Sequence, residues 1–144
     1  MVEGVVKNYY EGEAQEYNRE FYIAKGGYPT LQYRHKYMLE MALELDLPKD
    51  ARILDIGCGP GEMVLDLMRN EWKVWGIDIA ANMIEIAKEK VAKAPQKNEV
   101  HLATGDIEKL DFENQFFDLI ICSGVVEYLP GDEKWMAEMS RVLK

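Results

Sequence analysis

Glycines at positions 57, 59 and 61 alternate with Cys58 and Pro60, directly after the run Ile53-Leu54-Asp55-Ile56. Lacking a Cβ, glycine lets a chain turn tightly after a strand and brings its backbone close to a ligand. A helix starting behind such a loop would aim unpaired N–H groups at whatever binds. Two acids refine this reading. Glu62 occupies the place where a dinucleotide-binding G-x-G-x-x-G would carry its third glycine. Asp55 lies two residues before the first glycine, where a carboxylate would repel a pyrophosphate and suit a ligand bearing an ammonium and a sulfonium charge. The implied ligand is cationic in its middle. The blander alternative is that Asp55 caps local N–H groups.

Further acids follow at loop positions. Asp78 comes seventeen residues after Gly61, where a carboxylate can accept hydrogen bonds from both hydroxyls of a ribose. Ile79 beside it offers an apolar side chain to an adenine face, although adenosine alone does not separate NAD from other adenosine ligands. In Gly105-Asp106-Ile107, Asp106 can accept from an adenine amino group or can be an ordinary loop acid. Metal chemistry is not expected, because His35 and His101 have no Cys or His at ligand spacing.

These residues need a scaffold, and the chain supplies its pattern in two parts. Residues 1–48 hold seven of the eight tyrosines. Leu31, Met38, Met41, Ala42 and Leu45 follow helical spacings that end before Pro48, and Gly26-Gly27-Tyr28-Pro29 reads as a loop. From Ala51 the pattern alternates. Strands are predicted over 52–56, 72–77, 100–103 and 116–122. Helices carry Met63, Val64, Leu67 and Met68, then Ala80 to Lys93, and last Asp132 to Leu143. Alternation of strand and helix is the pattern of a parallel sheet with right-handed crossovers. Ligands in such sheets bind beyond the carboxyl ends of the strands. The loops to inspect therefore follow Ile56, Ile77, Ala103 and Cys122.

Ile53 to Gly61 resembles the first motif of the class I S-adenosylmethionine-dependent methyltransferases. Trp75-Gly76-Ile77-Asp78-Ile79 with Asn82-Met83 resembles their second, and Gly105-Asp106-Ile107 their third. Phe117 to Ser123 resembles their fourth strand and its loop. The resemblance, to the small-molecule type, runs from about residue 51 to the end with order and spacing intact. It implies a Rossmann-like α/β methyltransferase fold, with a mostly parallel sheet in the order 3-2-1-4 flanked by helices and lacking the late strands. The cofactor implied is S-adenosylmethionine. Asp55 would hold its methionine ammonium, with the backbone of Gly57, Cys58 and Gly59 along the methionine. Asp78 would hold the ribose, with Ile79 and Met83 against adenine. Asp106 would meet the adenine amino group and Ile107 its ring, while Cys122 and Ser123 would offer backbone groups at the methionine end. Residues 1–48 resemble the lid helices of small-molecule members, with Tyr17 closing over the cofactor, and residues 49–144 form the cofactor-binding core.

Methyl transfer at a carbon already activated by positive sulfur needs alignment and exclusion of water more than a catalytic side chain. No catalytic residue is therefore assigned. Glu127 could serve as a base or could simply face solvent. An active enzyme on a small-molecule acceptor is the first expectation. A module that binds the cofactor without turnover is the alternative, and a NAD-dependent oxidoreductase is opposed by Asp55 and Glu62. The motif after Trp135 would lead, in the family, into a fifth strand and a closing hairpin. Strand four is thus expected at an apolar sheet edge, covered by a second copy in a homodimer unless the chain is a C-terminally truncated fragment.

A net charge of −9 argues against nucleic acid and anionic membranes as partners. The cluster Lys88, Lys90, Lys93 and Lys97 reads as a solvated helix face. No apolar run has the roughly 20 residues needed to span a bilayer, and Met1-Val2-Glu3-Gly4 does not begin a signal-peptide pattern. With only Cys58 and Cys122 and no disulfide framework, the expected setting is cytoplasmic.

Overall fold

Ile53 of the first strand buries on one side of the sheet, and Leu54 and Ile56 belong to a core on the other. Burial on both faces is why this strand is an apolar run and not an alternating one. A computed structural model describes residues 2–19, 29–96, 98–129, 131 and 133–144. Its helices are α1 (Val2–Asn18), α2 (Pro29–Glu44), α3 (Glu62–Leu67), α4 (Ala81–Lys93) and α5 (Lys134–Val142). Its strands are β1 (Arg52–Ile56), β2 (Lys73–Asp78), β3 (Val100–Thr104) and β4 (Leu119–Cys122). All neighbours pair in parallel, in the order β3-β2-β1-β4. This is the Rossmann-like sheet that the motif order implied. The loop expected at Gly26-Gly27-Tyr28, the start of the last helix at Asp132, and Lys97 lie outside the described residues.

One core lies on the side of Ile53, Val64, Leu67, Val74 and Ile84, and the other gathers Leu54, Ile56, Ile77, Phe117 and Val142. Among the described residues no helix is long and apolar enough to cross a membrane.

Strand four is shorter than its apolar run. The N–H groups of Phe116 and Phe117 donate to Val142 O at 2.8 and 2.9 Å, and Lys144 N donates to Phe117 O at 3.0 Å. Those two phenylalanines pair with the chain leaving α5, through a parallel bridge between Phe117 and Leu143. Asp118 then ties the turn to β1, its Oδ2 accepting from Arg52 N at 2.8 Å. Within the described residues, the open part of this sheet edge is therefore Leu119–Cys122.

The lysine cluster also divides. Lys88 pairs with exposed Glu85 at 3.0 Å, as a solvated face would. Lys90 is largely covered, its ammonium contacting Glu62 of α3 and Asn18 of α1. It joins three helices, which helical spacing could not reveal because the partners come from distant sequence.

Gly61 shows why the loop's third glycine is required. Its φ is +87°, and a Cβ there would stand 2.9 Å from Ala87 Cβ and 3.2 Å from Ala87 Cα. Gly61→Ala is expected to lower stability by about 1–3 kcal/mol through overpacking and left-handed strain. Urea unfolding would measure it, and an unchanged midpoint would refute this packing argument.

Candidate functional site

The carboxyl ends of β1, β2, β3 and β4 open onto one cavity of about 1010 Å³. Gly57 and Gly59 take left-handed φ values of +71° and +52°, which glycine reaches without the cost a side chain would add. The loop is then pinned from below, with Gly57 N and Cys58 N both donating to Ile77 O at 2.8 and 3.0 Å. A Cβ on Gly59 would meet nothing within 4 Å, so that residue presents bare backbone to the cavity. Gly57 is overlaid instead, its absent Cβ falling 2.1 Å from Val125 Cγ2.

Asp78 sits at the junction of three loops. Its Oδ2 accepts from Gly59 N and its Oδ1 from Ala80 N, each at 2.9 Å, while its carbonyl accepts from Gly105 N at 3.0 Å. Burial raises its pKa above the ordinary carboxylate value, and the backbone N–H groups pull against that shift. Each carboxylate oxygen has two lone-pair sites, so both keep acceptor capacity for a ligand.

Asp55 is the exceptional group. It is 3% exposed, and its Oδ2 is buried with no hydrogen-bond partner. Burial first, and the neighbouring Asp78 second, push its pKa up to about 8. A buried carboxylate oxygen without a partner is costly, and an incoming cation or N–H donor would satisfy it. This does not match the alternative of a cap for local N–H groups.

Asp106 forms a local turn, its Oδ1 accepting from Glu108 N at 2.8 Å, and its side of the loop also lines the cavity. Above the sheet ends lies α1. It is held to α4 through Asn82 Nδ2 donating to Glu11 O at 2.6 Å, and to the 3-10 turn Val126–Tyr128 through the Tyr10 and Tyr128 hydroxyls at 3.2 Å. Tyr10 and Tyr17 pack on Ala14, Ala80, Met83 and Ile86.

Of the residues singled out from sequence, Tyr17, Asp55, Gly57, Cys58, Gly59, Asp78, Ile79, Met83, Asp106, Ile107 and Ser123 line this one cavity. Cys122 does not, as its half-buried side chain packs with the core around Leu54 and Phe117. Burial raises its thiol to about 11. Glu127 lines the cavity too, 3.8 Å from Arg34. His35 is likewise a wall residue, 2.8 Å from Asp66 of α3. Sequence reasoning did not single out Tyr9, Tyr10, Arg34 or Val125 for the site. The tyrosine enrichment of the first 48 residues was the available signal, but it could not say which rings turn inward.

A family model described as a methyltransferase domain matches residues 53–144. The chain is 36% identical to a sterol 4-C-methyltransferase of Caenorhabditis elegans, over 72% of this chain and 31% of that protein. It is 33% identical to a demethylmenaquinone methyltransferase of Leptospira interrogans, over 76% of this chain and 45% of that protein. The chain thus spans less than half the length of these curated relatives. Magnesium protoporphyrin IX methyltransferase from Synechocystis PCC 6803, solved with bound S-adenosylmethionine, superposes with a TM-score of 0.84 at 20% identity, over 100% of this chain and 73% of that one. At that identity the likeness speaks for the fold alone. The matched domain, which takes in every strand from Ile53 onward and the glycine loop, decides the relationship: the chain belongs to the class I S-adenosylmethionine-dependent methyltransferases.

Proposed function

We propose that the cavity binds S-adenosylmethionine and that the chain serves methyl transfer to a small-molecule acceptor by in-line displacement. The observation that carries this reading is the unpartnered, buried Oδ2 of Asp55 beside the open backbone of Gly59. The donor set fits the cofactor. Asp55 takes the methionine ammonium, and the backbone of Gly57, Cys58 and Gly59 lies along the methionine, with Ser123 at its end. Asp78 accepts from the ribose hydroxyls. Ile79, Met83 and Ile107 flank adenine, and Asp106 accepts from its amino group. When bound, the cofactor supplies a methyl carbon already activated by positive sulfur. The protein's share is to orient it and exclude water, which makes residues 1–48 a lid, with Tyr17 over the cofactor, on a core of residues 49–144.

Calorimetry with S-adenosylmethionine, S-adenosylhomocysteine and NAD tests the binding claim. Both sulfur ligands are expected to bind and NAD to give no heat, whereas silence with both sulfur ligands would overturn the reading. The second reading is a module that binds the cofactor without turnover. Tritium transfer from labelled cofactor to a metabolite pool separates the two. The unpaired thiols of Cys58 and Cys122 are in keeping with a reducing, cytoplasmic setting. The open edge at Leu119–Cys122 would suit a homodimer, and a stable monomer in sedimentation would remove that proposal. Nucleic acid and membrane are not among the partners proposed, on the net charge of −9.

A further inference from the structure

Helix α2 carries an apolar ridge that lies outside the cavity. On its inner side Met38, Leu39 and Ala42 pack with the core around Ile53. Tyr33, Tyr37, Met41 and Leu45 instead follow one another every four residues, the spacing of neighbours on one helix face. All four are between 54% and 63% exposed, and all four stand apart from the cavity lining. A single apolar side chain at a surface needs no explanation, but an aligned row of four is a patch. The row runs for about 18 Å, and it is made chiefly of tyrosine and methionine, which association surfaces favour.

The charges beside the row decide what fits it. Arg34 and Lys36 lie in the first half of α2, and Glu40 and Glu44 in the second. Turned end for end, the same helix presents the reverse order. A twofold axis at the level of residue 39 would set Tyr37 against Met41 of a second copy and Tyr33 against Leu45. The same axis would bring Lys36 to Glu40 of the other copy and oppose the two helix dipoles. Arg34 is already engaged 3.8 Å from Glu127, so Lys36 is the cation that counts. Its present partner is Glu40 of its own helix at 3.7 Å. Such an exposed pair contributes little where it stands, and it can be exchanged for the same pair between copies. The net charge of −9 disfavours an anionic surface as the occupant. Between copies, repulsion from distant acids is screened beyond about 8 Å in physiological salt.

We infer that this ridge of α2 is an interaction surface for a second copy of the chain, packed antiparallel through Tyr37 and Met41 and aligned by Lys36 and Glu40. It is a different face from the open edge Leu119–Cys122, and it does not depend on the cofactor reading. One helix face is small beside a standard interface, so sedimentation equilibrium of the full chain should span roughly 10–500 μM. A reversible monomer–dimer equilibrium is expected. Tyr37→Ser and Met41→Ser should each weaken it at least tenfold, with unfolding midpoints unchanged because both side chains are exposed. Lys36→Glu and Glu40→Lys should each self-associate at least fivefold more weakly, while their equimolar mixture regains the wild-type constant. That loss and its rescue together require Lys36 of one copy to face Glu40 of the other. A chain that stays monomeric throughout would overturn the inference. Capture of that monomer by phosphatidylcholine vesicles, lost in Met41→Ser, would give the ridge to a lipid surface instead. A dimer indifferent to Met41→Ser and to both charge variants would belong to another face, and would overturn it equally.

Discussion

Asp55→Asn is expected to cost at least thirtyfold in S-adenosylmethionine affinity while removing a pH-dependent weakness from the ligand-free chain. The binding loss follows from replacing a buried carboxylate, the partner proposed for a cationic ligand group, by a neutral amide. Breaking a desolvated charge pair costs about 2–5 kcal/mol. The stability effect has the opposite origin. In the folded chain the Asp55 carboxyl holds its proton up to about 8, because burial and then Asp78 disfavour its charge, whereas its ordinary value is 3.8. Between those values the native state binds more protons than the unfolded state. Its contribution to stability is complete below the lower value and is lost as pH rises through the upper one. Unfolding midpoints of the ligand-free chain should therefore fall from pH 4 to 8 in the wild type, and the part due to Asp55 should be absent in Asp55→Asn. Cofactor affinity should rise over the upper part of that window, since the carboxylate is the form that binds. Equal slopes in the two proteins, or undiminished affinity in the variant, would refute the role given to Asp55.

Asp78→Ala should fail in two ways at once. Removing the carboxylate takes away the proposed ribose acceptor, and a loss of at least tenfold in cofactor affinity is expected. It also orphans Gly59 N and Ala80 N, which hold the glycine loop and the start of α4 at 2.9 Å each. Leaving buried donors unsatisfied costs about 1–3 kcal/mol. Sequence alone marks Asp78 as a ligand-binding acid; the hydrogen bonds make it structural as well. Asp78→Asn retains one oxygen acceptor and should recover part of the stability without recovering the affinity. Paired unfolding and calorimetric titrations check both halves, and alanine variants with undiminished binding would refute the ribose assignment.

The parts of the fold that sequence revealed are those governed by short-range pattern. The parallel sheet follows from four apolar runs separated by helical periods, whereas its order, β3-β2-β1-β4, was implied by the family resemblance. β1 needed no adjustment, since Arg52–Ile56 is bounded by a glycine loop and is buried on both faces. Strand four was drawn too long for a related reason. Phe116 and Phe117 have strand-like side chains, but their backbone partners lie at Val142 and Lys144, beyond the reach of any local window. Lys90 is the same lesson in charge, a residue with a surface spacing that tertiary contacts place between three helices.

Sequence by itself determined which chemistry collects at the strand ends: three glycines at alternate positions, and the acids 55, 78 and 106 at the ends of three strands or just beyond. Chain connectivity puts those positions in adjacent loops once the sheet forms. Tertiary structure alone decided the state of each group. Asp55 lost its solvent with its Oδ2 left unpartnered, Asp78 became the anchor of the loop it faces, and Tyr10, among the described tyrosines, became the centre of the aromatic cluster on the opposite wall. Solvation and pairing depend on what the rest of the chain places nearby. No spacing along the glycine loop could encode them.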